Sequence, residues 1–199
     1  MQWYYRTVTF LPKLCDNELL AAKCINVLHG FSYKYYSRSV GVSFPLWDDQ
    51  TVGNKISFVS TKSVELDFLL SQAYFHQMVM LGYFHISILS SVPENHSYVS
   101  FKREQSIAKT TTSGHSARLR RLEKRANLRN ETFNARNFQQ RDTVMVPHHH
   151  SLELHSKGNG NFFTVNICMS VESDLNEAAI FSSYGLANSD KSFQQVPWV

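Results

Sequence analysis

Trp3-Tyr4-Tyr5-Arg6-Thr7-Val8-Thr9-Phe10-Leu11, and after a short gap Asn17-Glu18-Leu19-Leu20-Ala21-Ala22-Lys23-Cys24-Ile25-Asn26-Val27-Leu28-His29-Gly30-Phe31, decide the fold, because the apolar period changes between them. The first stretch is rich in β-branched and aromatic residues and reads as a strand. In the second, Leu20, Cys24, Val27, Leu28 and Phe31 stand at i, i+4, i+7, i+8 and i+11, which is one face of a helix, and Asp16 or Asn17 supplies its cap. The helix is expected to fray near Gly30 or soon after. Outward from this pair, Val40 to Leu46 and Lys55 to Ser60 read as strands joined by a polar loop holding Asp48, Asp49 and Gly53. Ser63 opens a helix with Leu66, Leu69, Leu70 and Ala73 on one face, and Phe84 to Leu89 is a fourth strand. The order βαββαβ predicts a ferredoxin-like (RRM-like) domain over residues 1–95. Such a fold does not by itself give a function.

Pro93 and Glu94 mark a junction, and residues 96–199 are less regular. Tyr98 to Arg103 reads as a short strand. Thr110-Thr111-Thr112-Ser113-Gly114 is a cluster of cap and turn residues before a helix from about Ser116 to Arg129, and Asn130 to Thr143 is a polar loop. Asn161 to Met169 and Ile180 to Tyr184 read as strands before the closing Val196-Pro197-Trp198-Val199. The expected class is α+β: the ferredoxin-like domain plus a C-terminal α/β domain, 96–199, that carries an arginine-rich helix.

With 199 residues and 43% apolar side chains the chain fills one large or two small cores. It has no apolar run of membrane-spanning length, and Met1 to Arg6 reads as a strand rather than a charged signal start, so no membrane association and a cytoplasmic location are expected. Cys15, Cys24 and Cys168 are an odd number at no metal-like spacing, and they read as free thiols.

Charge is unevenly placed. Residues 1–97 hold seven Lys/Arg and seven Asp/Glu, whereas residues 102–141 hold eleven Lys/Arg against Glu104, Glu123 and Glu131, a local net of +8. A field concentrated on one element points to a polyanion, because each cation near a phosphate releases condensed counterions. At about 100° per residue, Arg118, Arg121, Arg125 and Arg129 fall within about 80° of one another, beside a stripe of Leu119, Leu122 and Ala126. One edge of this helix docks and the other presents guanidinium groups to phosphates or guanine edges. A double-stranded RNA major groove is too narrow for side chains, so base contacts require the end of a short hairpin. Upstream, Arg103 and Gln105 project to one side of an extended segment and suit two stacked purines. The third strand, Lys55 to Ser60, has a single aromatic and no basic-Gly-aromatic signature, so the sheet is not expected to be a base-stacking platform. His148, His149, His150 and His155 form a cluster, but carboxylate or cysteine partners at metal-site spacing are missing, and no metal or other cofactor is expected.

Gly41-Val42-Ser43-Phe44-Pro45, Arg103-x-Gln105, Arg118-Leu119-Arg120-Arg121-Leu122-Glu123-Lys124-Arg125, Tyr184-Gly185-Leu186 and the terminal Val196-Pro197-Trp198, in this order, resemble the type I-F CRISPR-associated repeat-RNA endoribonucleases, especially the versions carried by CRISPR-associated transposons. The resemblance runs from the first strand to the last residues. It implies a catalytic histidine near the end of the first helix at His29, a loop serine before a C-terminal strand at Ser156, and the tyrosine of Tyr-Gly-Leu at Tyr184. It implies RNA binding by Arg103, Gln105, Arg118, Arg120, Arg121, Lys124, Arg125 and Arg129. The chain departs from the family pattern in three places: Gly158 stands where a second loop serine can occur, Lys124 replaces an arginine, and the recognition helix is one residue shorter. The implied activity is metal-independent cleavage of precursor CRISPR RNA at repeat hairpins by the RNA 2'-OH, leaving a 2',3'-cyclic phosphate and a 5'-OH. A neutral imidazole suits the base such a reaction needs. The implied partners are the repeat hairpin, the backbone and other subunits of a Cascade-type surveillance complex, and the target-selector adaptor of a transposition machinery. Two alternatives stand beside this reading: a non-catalytic guide-RNA hairpin-binding subunit, and a DNA-binding regulator using the basic helix.

Overall fold

The computed structural model describes residues 2–104, 107, 112–138, 147–155, 160–171, 180–187 and 194–199. They form two compact units: Met1–Arg103 with His149–Val199, and Glu104–His148.

In the first unit, β1 (Tyr4–Phe10) leads to α1 (Asn17–Lys34), β2 (Gly41–Ser43), β3 (Lys55–Ser60), α2 (Ser63–Leu70), α3 (Ala73–Met80), β4 (Phe84–Ile86) and β5 (Ser90–Ser91). The sheet order is β2-β3-β1-β4, with β5 beside β1, and every pairing is antiparallel. β1 and β3 are matched from Tyr4 opposite Ser60 to Thr9 opposite Lys55. This is the split βαβ arrangement expected from the sequence. Ile56, Ser57, Phe58, Val59 and Ser60 are all buried, so the central strand β3 presents no aromatic ring for bases to stack on.

Asp16 caps α1, its Oδ1 accepting the Leu19 amide at 2.8 Å, a contact typically worth about 1 kcal/mol. The helix passes through Gly30 and ends one turn later at Lys34, where the Tyr35 amide bonds the Phe31 carbonyl. Phe31 is buried and meets Phe68 edge-on at 5.4 Å, so tertiary packing outweighs the roughly 1 kcal/mol preference against an interior glycine. The helix expected from Ser63 is broken in two. The Ser71 hydroxyl and the Gln72 side-chain Nε2 both donate to the Phe68 carbonyl, ending α2 before α3 restarts at Ala73.

The same unit holds a second sheet of β6 (Tyr98–Arg103), β7 (His150–His155), β8 (Phe162–Ser170) and β9 (Val196–Pro197) in the order β7-β8-β6-β9. In β7, His150, Leu152 and Leu154 are buried while Ser151 and Glu153 are exposed, the alternation of a half-buried strand. Asn26 of α1 donates to the His155 carbonyl at 3.1 Å, the Trp198 indole donates to the Phe44 carbonyl at 2.9 Å, and Phe101 packs edge-on against Phe44 at 5.1 Å. Residues far apart in sequence therefore share one core. Residues 180–184 do not form the expected strand. The Gly185 amide bonds the Ser182 carbonyl at 3.0 Å, closing a tight turn, and Gly185 adopts φ +72°. An extended path is incompatible with that reversal.

The second unit is built on α4 (Thr112–Leu128), which starts earlier than the sequence pattern indicates. It ends at Asn130, which adopts φ +56°, and the Glu131 amide reaches back to the Ala126 carbonyl at 2.9 Å, the six-to-one bond of a Schellman-type cap. Phe133 and Phe138 stack at 5.6 Å around a short 3-10 turn, Ala135–Asn137. No described helix is long and apolar enough to cross a membrane.

Candidate active site and arginine helix

His29 stands one turn before the end of α1. Leu28, its neighbour, is fully buried, whereas His29 itself is half-buried and Gly30 is exposed. The helix thus turns the imidazole out of the core at its margin. The tight turn Ser182–Gly185 meets it there. The Tyr184 ring stacks on the imidazole with centroids 4.3 Å apart and planes 5° apart, and the Ser183 Oγ lies 2.9 Å from His29 Nδ1. Tyr33, one helical turn on, meets the imidazole edge-on at 4.9 Å. Among the described residues, His29 Nε2 has no hydrogen-bond partner.

Hydrogen bonds close the turn and fix it against β2. The Val42 amide donates to the Gly185 carbonyl at 2.9 Å, the Ser182 amide to the Leu186 carbonyl at 2.9 Å, and the Leu186 amide to the Ser182 Oγ at 3.2 Å. Gly185 is required twice over. Its φ is positive, and a Cβ there would stand 2.6 Å from Val42 Cγ2 and 2.7 Å from Leu28 Cδ2. The close approach of backbone to Leu28 is what sets Tyr184 over the next residue, His29.

Arg38 completes the surroundings. Its guanidinium lies over the Tyr33 ring at 4.9 Å, a cation–π contact, and its carbonyl accepts the Phe181 amide at 2.8 Å. Its Nη1 is buried without a hydrogen-bond partner. Ser37 and Ser39 both donate to the Glu65 carboxylate, anchoring the segment on either side. Burial lowers the His29 pKa from its usual value, and the positive charge of Arg38 lowers it further, so the imidazole is held neutral. Burial raises the Tyr184 phenol; the charge of Arg103 at the end of β6 opposes that rise, and Tyr33 adds to it. Tyr184 is therefore a neutral ring at ordinary pH. An unprotonated imidazole with one nitrogen anchored and the other open can accept a proton from a hydroxyl brought against it.

His29, Tyr184 and Arg103 are thus associated within one unit, whereas Ser156, Gly158 and Gln105 lie outside the described residues. Sequence reasoning missed Ser183, Tyr33 and Arg38. Ser183 had a signal, a second hydroxyl directly beside Tyr184, but only the tight turn aims it at His29. Arg38 had none, since a lone cation before a strand is ordinary.

On α4, Arg120, Arg121, Lys124, Arg125 and Arg129 are exposed and Arg118 is half-buried, while Ala126 is buried and Leu119 and Leu122 are half-buried. The helix has the two edges expected of it. Arg129 bridges Glu131 at 3.0 Å. The histidine cluster divides into different environments: His150 is buried, with Nε2 2.8 Å from the Asp48 carbonyl and its ring edge-on to Trp47 at 4.3 Å. No group of three or more His, Cys, Asp or Glu positioned to hold a metal occurs among the described residues. Cys24 and Cys168 are buried and Cys15 half-buried, and burial pushes the Cys24 thiol up.

The chain matches the family model described as CRISPR-associated protein (Cas_Csy4) over residues 5–199. It belongs to that family. The Cas_Csy4 proteins are the type I-F CRISPR repeat-RNA endoribonucleases, so this is a CRISPR-associated RNA-processing protein of an RNA-cleaving family. The match spans the His29 helix, the turn bearing Tyr184 and the arginine helix together. No curated protein matches the chain.

Proposed function

We propose that the protein cleaves precursor CRISPR RNA at repeat hairpins without a metal, with His29 as general base. The observation that carries this reading is His29 itself: an imidazole stacked on Tyr184, bonded at Nδ1 and, among the described residues, without a partner at Nε2, its pKa held down by burial and by the charge of Arg38. Nε2 takes the proton of the ribose 2'-OH, O2' attacks the adjacent phosphorus, and the bond to the 5'-oxygen breaks. The products are a 2',3'-cyclic phosphate and, after protonation of the leaving oxygen, a 5'-OH. The nucleophile belongs to the substrate, so the protein supplies a base and geometry. Tyr184 holds the imidazole plane, and Ser156 serves as the ribose anchor by resemblance to the family.

Arg118, Arg120, Arg121, Lys124, Arg125 and Arg129 grip the hairpin, with Arg103 and Gln105 reading purines near the stem base. The cation-rich face of α4 supports this assignment. In functional terms residues 1–95 supply the base, and residues 96–199 supply the hairpin grip, Ser156 and Tyr184. The protein then stays on the 3' hairpin as a subunit of a cytoplasmic Cascade-type surveillance complex. Resemblance to transposon-carried relatives adds the target-selector adaptor of a transposition machinery as a partner.

The test is single-turnover cleavage of a repeat hairpin in EDTA. The parent protein releases a cyclic-phosphate fragment, and His29→Ala retains hairpin binding while cleavage slows by the 10²- to 10⁴-fold typical of a lost general base. Parent-rate cleavage by His29→Ala, or silencing by EDTA with rescue by a divalent metal, overturns the mechanism. Binding without cleavage by the parent makes it a non-catalytic hairpin subunit, and preference for duplex DNA at equal salt makes it a DNA-binding regulator.

A further inference from the structure

The proposed base is one residue in a helix, yet an imidazole is useful as a base at Nε2 only in one of its two neutral forms. For Nε2 to carry the lone pair, Nδ1 must carry the proton and needs an acceptor. The group facing Nδ1 is the Ser183 hydroxyl, at 2.9 Å. No other hydrogen bond of this hydroxyl occurs among the described residues. Ser183 is not an adaptable surface side chain. Its turn is closed by the Gly185 amide on the Ser182 carbonyl, tied to β2 through Val42, tied to Arg38 through Phe181, and seated on Leu28 by Gly185.

We propose that Ser183 is a positioning residue for the cleavage reaction, its hydroxyl oxygen accepting the Nδ1 proton of His29 so that Nε2 faces the RNA as the base. This deepens the assignment of His29 as general base and rests on it. The contact suits both ends of the proton transfer. Before it, neutral His29 donates from Nδ1 to Ser183; after Nε2 has taken the 2'-OH proton, the imidazolium still donates from Nδ1 to the same oxygen. Ser183 neither gains nor loses a proton, and no group has to rotate while the O2'–phosphorus bond forms and the phosphorus–O5' bond breaks. The leaving O5' takes its proton from water or from the imidazolium.

The other described groups around the ring cannot replace this contact. Tyr184 stacks on its face, Tyr33 meets its edge from the same helix, Arg38 is a cation and has only donors to offer, and Arg103 bears on Tyr184. None of these provides an anion to fix the form of the neutral imidazole. A hydroxyl acceptor also fixes it without the large rise in basicity that a carboxylate would bring.

The experiment uses the full chain as parent, Ser183→Ala, Ser183→Thr, His29→Ala and His29→Gln. The His29 ring ¹⁵N resonances, assigned by their loss in His29→Gln, are followed across a pH titration of the RNA-free protein. Single-turnover cleavage and hairpin affinity are measured over the same range. The parent shows a protonated Nδ1 and an unprotonated Nε2 in the neutral ring. Ser183→Ala shows a mixture of the two forms and cleaves about tenfold more slowly, the factor that one neutral hydrogen bond represents. Its acid limb moves to lower pH, because the lost bond was stronger to the imidazolium than to the neutral ring. Ser183→Thr restores most of the rate and the parent tautomer, and hairpin affinity is unchanged throughout, which separates positioning from unfolding.

A parent ring with unprotonated Nδ1 overturns the proposal, as does Ser183→Ala with the parent tautomer and a rate within twofold of parent. The two levels are distinguishable. An inactive His29→Ala beside a fully active Ser183→Ala removes Ser183 alone, whereas a fully active His29→Ala removes the base and Ser183 with it.

Discussion

Gly185→Ala tests whether the turn's close seat on α1 is what organises the site. Two effects add. Left-handed backbone at φ +72° costs a residue with a Cβ about 1–2 kcal/mol relative to glycine. The new methyl would stand 2.6 Å from Val42 Cγ2 and 2.7 Å from Leu28 Cδ2, both buried side chains, and overpacking of this kind costs about 1–3 kcal/mol. The total expected loss is about 2–5 kcal/mol. Relief by moving the turn outward also moves Ser183 and Tyr184 away from His29, and a displacement of about 1 Å at a reacting group can lower a rate about 100-fold. Gly82→Ala is the control: its φ is also +72°, but nothing lies within 4 Å of the added Cβ, so only the backbone strain applies. Denaturant unfolding and single-turnover cleavage of both variants decide the matter. Gly82→Ala loses about 1–2 kcal/mol and cleaves at the parent rate once folded, while Gly185→Ala loses more stability and the folded protein cleaves slowly. If Gly185→Ala unfolds with Gly82→Ala and cleaves like the parent, the seat on Leu28 does not organise the site.

Gly30→Ala should stabilise the protein by about 0.5–1 kcal/mol in denaturant unfolding, because α1 runs through this position and an added Cβ meets nothing within 4 Å. Arg38→Gln should move the acid limb of the cleavage profile to higher pH: the Arg38 charge lowers the His29 pKa, its removal lets that pKa rise, and the base is then protonated at higher pH. An unmoved limb, measured at equal salt, would remove Arg38 from the electrostatics of the site. Arg121→Ala and Arg125→Ala should each weaken hairpin binding by about 1–3 kcal/mol in a salt series, since both guanidinium groups are exposed on α4; parent-like binding by both would take the helix out of the interface.

The elements were legible wherever side-chain period and burial coincide. The Leu20-Cys24-Val27-Leu28-Phe31 face belongs to a real helix, the βαββαβ order appears as a sheet ordered β2-β3-β1-β4, and α4 separates an apolar stripe from its cations. The misreadings arose where long-range contacts decide. Ile180 to Tyr184 reads as a strand because apolar and β-favouring residues line a turn whose shape Gly185 sets, and the extra turn of α1 beyond Gly30 depends on Phe31 docking on Phe68, a contact the sequence does not display. His29 and Tyr184 could be singled out through a family pattern. Ser183 and Arg38 could not, since their significance depends on a separation of 154 residues being closed to 2.9 Å and on a guanidinium acting at a distance.

That separation bears on how the site can exist at all. α1 belongs to the first sheet's half of the unit, while two of the residues facing His29, Ser183 and Tyr184, arrive on a C-terminal segment. The segment is pinned at Ala187, whose amide bonds the Phe101 carbonyl at 2.8 Å, and at Phe181, whose amide bonds the Arg38 carbonyl. Five residues, 182–186, lie between these two points, and one of them, Gly185, is pressed against Leu28. The turn is therefore held from both sheets, by Val42 of β2 in the first and by Phe101 of β6 in the second. α1 and the first sheet by themselves lack the hydroxyl and the stacking ring, which the C-terminal segment brings from 154 residues away, so the site depends on that segment being seated on Leu28 and Val42.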